Sequence, residues 1–257
     1  MSGRIIGRRI VRFDTIGSTM DEAARLGDNG EPEGTIVTTA EQTAGRGRAG
    51  RAWLAPPHSA LLCSVLLRPR VPPTRLPVLS LVIGVATAEA IEATTGLGCR
   101  LKWPNDIWLG PDDAARKVSG ILVTSRLTAH GIAYAVAGIG INLNARPNAL
   151  PPGATSLLAE TGTRTEPETL LPILVDRLRH AYHDYIVTEG FPNLDRWRQR
   201  AALLGERVSI QDVGTNQTGT VAGIDDDGAL LLADASGRTR RIIAGELTRG
   251  PRLLPLA

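Results

Sequence analysis

Lys102 and Lys117 stand out in a chain that otherwise draws its positive charge from arginine. Of 29 basic residues, all but these two are arginines. Arginine is a planar fork that is always charged; lysine is a compact ammonium on a flexible stem and fits beside a reacting phosphate or carboxylate where a guanidinium does not. The two lysines open related segments, Lys102-Trp103-Pro104-Asn105-Asp106 and Lys117-Val118-Ser119-Gly120-Ile121-Leu122. The first gathers an ammonium, an amide and a carboxylate around a proline, a set suited to a nucleotide and a divalent cation. It also reads as a plain strand-ending turn. Lys117 precedes an apolar strand, where a gatekeeper charge is the simpler reading. In so lysine-poor a chain the pairing with Lys102 shifts the balance toward chemistry.

The sharpest signal is Glu41-Gln42-Thr43-Ala44-Gly45-Arg46-Gly47-Arg48-Ala49-Gly50-Arg51. Glycines let the backbone come close to a ligand, and successive N–H groups wrap an anion. The interleaved arginines add bidentate donors for phosphate or carboxylate. It is not a Walker loop, because Gly-Lys-Ser/Thr is missing. An RNA-binding tract of the Arg-Gly type is the rival, and it predicts affinity that collapses steeply with salt. Gly138-Ile139-Gly140-Ile141-Asn142-Leu143-Asn144 resembles half of a dinucleotide fingerprint but lacks the third glycine. It reads instead as a strand whose small residues line a ligand.

Composition narrows the class. A length of 257 residues fits one large domain, or a catalytic domain with a small appendage. A net charge of +3 is too small to argue for a nucleic-acid protein. No apolar run reaches the roughly 18 residues of a membrane span, and the basic start lacks the apolar block of a secretory signal. Cys63 and Cys99 are isolated, which speaks against zinc or a disulfide framework and for core thiols of a cytoplasmic protein. The histidines at 58, 130, 180 and 183 form no hydrolase pattern.

The elements that must position these residues follow. Residues 9–14 read as a strand, Ser18 or Thr19 caps a helix ending at Gly27, and residues 35–41 form a β-branched strand. Residues 43–52 read as a mobile loop. A continuous apolar strand covers 60–67 and a helix 74–95, stopped by Gly96. Strands follow near 99–103, 118–125 and 132–138. A helix over 168–187 places Leu170, Leu174, Leu178, Ala181 and Tyr185 on one face. Another spans 194–204 after Asn193. Strands and helices do not alternate strictly, so the expectation is α+β, a mixed sheet with packed helices. Past Gly205, short strands between turn signals predict a small SH3-like barrel leaning on the larger unit. The division is 1–204 and 205–257.

Together these segments resemble a biotin protein ligase. The resemblance runs in order through Gly17-Ser18-Thr19, Gln42 to Arg51, Lys102 to Asp106, Lys117 to Leu122, Gly138 to Asn144 and Ala154 to Leu157. It implies the catalytic fold shared by biotin and lipoate ligases and class II synthetases. It implies activation of biotin with ATP and Mg²⁺ to biotinyl-5′-AMP, then transfer to a lysine of a carboxylase's carrier domain. On this reading Ser18, Thr19 and Gln42 bind the ureido head, with Gly45, Arg46, Gly47 and Arg48 closing over the adenylate. Lys117 meets the biotin carboxylate and α-phosphate. Lys102 lies near the phosphates and Asp106 near the metal. Arg51, Trp53, Asn105 and Asn142 complete the nucleotide side. Met20 and Ala49 stand where relatives carry asparagine and arginine. About 17 residues precede Ser18, so the expectation is a monofunctional ligase without sequence-specific DNA binding, a monomer or homodimer. A lipoate ligase is the nearest rival.

Overall fold

The structure, a computed structural model, describes residues 5–111, 114–212 and 215–249. The last eight residues of the expected C-terminal unit lie outside the described residues. Strand β1 (Ile10–Ile16) leads to helix α1 (Thr19–Asp28), one residue longer than its sequence signals. Ser18 caps α1 by accepting from the Met20 N–H, and Asp21 and Glu22 complement the helix dipole in the first turn. Strands β2 (Ile36–Gln42) and β3 (Ala60–Leu67) flank the glycine/arginine segment.

Helix α2 (Leu76–Thr95) is apolar all round and ends at Gly96, whose φ of 73° suits glycine. With the turn before it, Pro73–Thr95 is long and apolar enough to cross a membrane, which a count of uninterrupted apolar residues misses. Two-thirds of its apolar window is buried inside the protein, as in a core helix. Strands β4 (Arg100–Lys102), β5 (Asp106–Leu109), β6 (Arg116–Thr128) and β7 (Gly131–Asn142) follow. Next come α3 (Leu157–Thr161), α4 (Pro167–Thr188) and α5 (Phe191–Gln199).

Seven strands form one sheet in the order β1-β2-β3-β7-β6-β5-β4. β1 and β2 are parallel and the other neighbours antiparallel, which makes the sheet mixed as expected. The large core lies between this sheet and α2, α4 and α5, and includes Leu79, Ile83, Ile139 and Ile141. A smaller cluster of Met20, Ala23, Val37, Leu66, Tyr134 and Val136 seats α1 on the opposite face. Alternation along β7 thus sends Ile139 and Ile141 to the large core and leaves Gly138 and Gly140 on the α1 side.

Helix α4 buries all five residues of its expected stripe and tolerates Pro172, an exposed position near its start. Helix α5 starts three residues earlier than expected. Asn193 is no cap: it is buried, and its side-chain amide donates to the Ala181 carbonyl at 3.0 Å.

Beyond Gly205, β8 (Arg207–Asp212), β9 (Thr215–Ile224), β10 (Leu230–Ala233), β11 (Thr239–Ile242) and β12 (Glu246–Arg249) form a second, antiparallel sheet. Its order is β11-β10-β9-β8-β12, and among the described residues no ladder joins β11 to β12. The expected barrel is therefore an open sheet at this level, with strands of four to ten residues. Val208, Ile210, Leu230 and Leu232 belong to the same apolar cluster as α2, so the small unit does lean on the large one. Polar contacts fix it there. Trp103 Nε1 donates to the Gly228 carbonyl at 3.0 Å, and buried Arg75 donates to the Asp226 carbonyl at 2.8 Å.

Candidate active site

A cavity of about 260 Å³ opens on the α1 side of the large sheet. Its floor includes Gly120, Gly138 and Gly140. A Cβ on Gly140 would lie 2.5 Å from Trp53 Cε2, and one on Gly138 would lie 2.7 Å from Met20 Sδ. These positions need hydrogen because an indole and a thioether rest on the strands. The alternating glycines of β7 are thus a floor for side chains and ligand, as expected of a strand with small residues.

A polar cluster forms part of the wall. Ser18 and Thr19 are buried at the start of α1, where Ser18 caps the helix and Thr19 meets Gln42 of β2. The Thr19 backbone N–H donates to Gln42 Oε1 at 2.8 Å, and the Thr19 hydroxyl donates to the same oxygen at 3.0 Å. The Thr19 hydroxyl also lies 2.8 Å from Ser64 Oγ on β3.

Lys117 supplies the ammonium. Its Nζ lies 2.6 Å from Asp106 Oδ1 and 5.5 Å from the centre of the Trp53 ring. The bulge between Ile107 and Trp108 shifts the β5–β6 register beside this pair. The Lys117 backbone is held by the 151–154 segment, with its N–H donating to the Gly153 carbonyl at 2.9 Å. An ammonium paired with a half-buried carboxylate and an indole face keeps its position until an anion arrives.

The glycine/arginine segment is tied down rather than loose. Gly47 N–H donates to the Arg51 carbonyl at 2.7 Å, and Trp53 N–H to the Gly45 carbonyl at 3.0 Å. A Cβ on Gly45 would lie 2.6 Å from the Trp53 carbonyl oxygen, so glycine permits that close return. Arg46 pairs with Asp21 on α1. Arg48 donates to Asn105 Oδ1 at 3.3 Å and to the Gly245 carbonyl at 3.4 Å. Arg51 Nη1 lies 2.5 Å from Glu246 Oε1 on β12. Three arginines thus anchor one loop to a helix, a turn and the second sheet.

Of the residues singled out from sequence, Ser18, Thr19, Gln42, Arg46, Gly47, Arg48, Arg51, Trp53, Asn105, Lys117 and Asn142 line this cavity. Gly45, Lys102 and Asp106 do not. Asp106 reaches it through Lys117. Lys102 is set aside, with Nζ 5.1 Å from the centre of the Trp108 ring. Burial pushes its ammonium below the usual lysine range, against the opposing pull of Asp106 and Glu246. Asn142 donates to the Thr155 carbonyl at 2.9 Å, while its Oδ1 and Trp53 Nε1 are buried without a partner among the described residues. Both atoms are therefore suited to a ligand. Among the described residues no three His, Cys, Asp or Glu side chains cluster as a metal cage. The one expected metal ligand, Asp106, is already paired with Lys117, so the donor set fits a cation delivered on phosphates better than a resident ion.

Sequence reasoning missed Ser64, Glu246 and the 151–153 wall, which are joined to the site by tertiary contact alone. Met20 stood out only as a departure from the family pattern, and Asp21 only as an acid in the first turn of α1. Pro151-Pro152-Gly153 carries turn chemistry, but nothing in it announces a pairing with Lys117.

Comparison with known proteins agrees with this layout. Residues 13–142 match the biotin/lipoate A/B protein ligase family, and residues 203–247 match the biotin protein ligase C terminal domain. The chain belongs to the biotin/lipoate A/B protein ligase family. Within that family it is 36% identical to a biotin--[acetyl-CoA-carboxylase] ligase of Paracoccus denitrificans, over 86% of this chain and 92% of that protein. It is 32% identical to the bifunctional ligase/repressor BirA of Bacillus subtilis, over 96% of this chain and 75% of that protein. The fold superposes on the biotin protein ligase from Aquifex aeolicus in complex with biotin and ATP with a TM-score of 0.79 and 27% identity. That match covers 95% of this chain and all of the other.

Proposed function

We propose that this chain is a biotin protein ligase, which activates biotin with MgATP and passes it to a lysine of a biotin carboxyl carrier domain. The observation that carries the reading is the convergence of a neutral polar cluster, a lysine ammonium and an arginine loop on one glycine-floored cavity. Biotin has matching parts, a neutral ureido ring at one end and a carboxylate at the other. A C-terminal unit of the biotin ligase type and the likeness to a biotin--[acetyl-CoA-carboxylase] ligase favour biotin over lipoate.

In the first step a biotin carboxylate oxygen bonds to the α-phosphorus of ATP and pyrophosphate leaves. Two anions meet, so positive charge must already be in place. Lys117 bridges the carboxylate and α-phosphate, and Arg48 and Arg51 steady the phosphates. Ser18, Thr19 and Gln42 hold the ureido head. Trp53 covers the ligand, and Asn142 offers its free Oδ1 on the nucleotide side. Magnesium enters with ATP as part of the substrate. Lys102, off the cavity, acts at longer range. The glycine/arginine loop excludes water from a mixed anhydride that would otherwise hydrolyse.

In the second step the acceptor amine bonds to the acyl carbon, AMP leaves and the amine loses a proton. The amine's ordinary pKa is about 10.4, so it needs a proton acceptor. Among the described residues no histidine lines the cavity, and Asp106 is held by Lys117. A phosphate oxygen of the adenylate takes the proton. The reading keeps the division at 204/205, supported by the change of sheet there, and a cytoplasmic location, supported by two buried free cysteines.

Incubation with ATP, Mg²⁺, biotin and a purified carrier domain tests the whole proposal. Intact mass should show one biotinyl group on the carrier. Lipoylation with no biotinylation would transfer the chain to the other branch, and absence of pyrophosphate release with either acid would end the proposal.

A further inference from the structure

Proton bookkeeping in the polar cluster gives one direction to its hydrogen bonds. The Thr19 backbone N–H can only donate, so the Gln42 atom it meets at 2.8 Å is the carbonyl oxygen Oε1. That oxygen has no proton, so the Thr19 hydroxyl, 3.0 Å away, spends its single proton on it. Ser64 Oγ lies 2.8 Å from Thr19 Oγ1, and with Thr19's proton committed, Ser64 must be the donor. The chain therefore runs from Ser64 to Thr19 to Gln42. It ends at Gln42 Nε2, beside Gly45 at the cavity wall, with two protons and no protein acceptor among the described residues.

Ser64 itself is fully buried in the middle of β3, where its backbone pairs with Val37 and Gly138. Its hydroxyl has no hydrogen-bond partner other than Thr19 among the described residues. An apolar residue would serve the strand equally well, so the hydroxyl is there for Thr19. Hydrogen bonds in series polarise one another, and the effect points at the Gln42 amide protons.

We propose that Ser64 is a positioning residue for the ring-head subsite. Its hydroxyl fixes the rotor of Thr19, and through it orients Gln42 as a donor toward a ring carbonyl of the ligand. This rests on the biotin reading, since a ureido carbonyl is the acceptor the chain requires. A ligand head lacking a carbonyl would gain nothing from it.

The test is a double-mutant cycle of Ser64→Ala and Thr19→Val, with biotin affinity by calorimetry and kinetics by pyrophosphate release. Ser64→Ala is expected to weaken biotin binding about fivefold, the scale of one lost neutral hydrogen bond. The kcat at saturating biotin, the KM for ATP and the melting temperature should hold. In the Thr19→Val background the same Ser64→Ala change should alter affinity by less than about twofold, because its route is gone. Unchanged biotin affinity in Ser64→Ala overturns the proposal. So does a joint shift of kcat, both KM values and melting, or a fivefold loss that persists in the Thr19→Val background. If the unmutated protein gives no heat with biotin, the biotin reading itself has failed.

Discussion

Lys117 meets Asp106, Trp53 and the 151–154 wall, and that environment says what its loss does. Its Nζ is held 2.6 Å from Asp106 and faces the Trp53 ring. Lys117→Ala should lower pyrophosphate release by about 10²–10³-fold, since removing one preorganised charge-stabilising group has that scale. The fold should survive, with a loss of about 1 kcal/mol or less in urea denaturation, because the pair is partly exposed. The glycine floor yields a graded prediction. Gly140→Ala drives a Cβ to 2.5 Å from the rigid indole of Trp53, whereas Gly138→Ala meets the flexible thioether of Met20 at 2.7 Å. Biotin affinity by calorimetry should fall more than about tenfold for Gly140→Ala and clearly less for Gly138→Ala; the reverse order would remove Trp53 from the site. Lys102 predicts a pH effect. Its folded-state pKa lies below its unfolded value because burial penalises the ammonium. At low pH both states are charged and the penalty is full. As pH rises through the folded pKa toward the ordinary value of about 10.4, the unfolded chain holds more protons and stability rises. Lys102→Met should abolish that rise in urea midpoints measured between neutral pH and pH about 10.

The decisive element is the glycine/arginine loop, whose arginines serve three different neighbours. Arg46 reaches α1, Arg48 reaches Asn105 and Gly245, and Arg51 reaches β12. Arg48→Gly removes the middle anchor and adds backbone freedom. It should let biotinyl-5′-AMP escape, seen as diffuse biotinylation of bystander proteins on a blot, while pyrophosphate release continues. Labelling confined to the carrier would show that Arg48 does not retain the adenylate. Local chemistry explains which elements were legible in the sequence. The Ser18 cap, the apolar run of β3, the Gly96 stop and the α4 stripe each follow from a few neighbouring residues. β5 was not legible, because four residues straight after Pro-Asn read as a turn although Ile107 and Leu109 are buried in alternation. α5 was misplaced because Asn193 resembles a cap, yet bonds to a distant carbonyl on α4. The loop's composition announced an anion site, but its anchors, among them Asp21 and Glu246, lie 25 and 195 positions from their arginines. No periodicity carries that information, and the same holds for Ser64, 45 positions from Thr19.

At the scale of the whole molecule the second sheet is joined to the first in two physically different places. One is structural. Buried Arg75, just before α2, donates to the carbonyls of Asp226 and Glu189 and lies 5.4 Å from the Phe191 ring centre. Truncating it would strand those carbonyls and the docked turn, so Arg75→Ala should cost about 2–4 kcal/mol and lower the melting temperature. The other place is at the site. Glu246, the first residue of β12, and Gly245 just before it hold Arg51 and Arg48 of the loop. The Arg51–Glu246 pair is about half exposed on both sides, so it adds little to global stability. On the proposed reading its leverage is on the loop, where a few tenths of a kcal/mol bias the hold on the adenylate directly. Glu246→Ala should therefore leave the melting temperature within about 1 °C while speeding release of preformed biotinyl-5′-AMP about threefold. Release is measured by chasing labelled adenylate with unlabelled biotin. If Glu246→Ala instead melts early and releases at the normal rate, β12 braces the fold and plays no part in closing the loop.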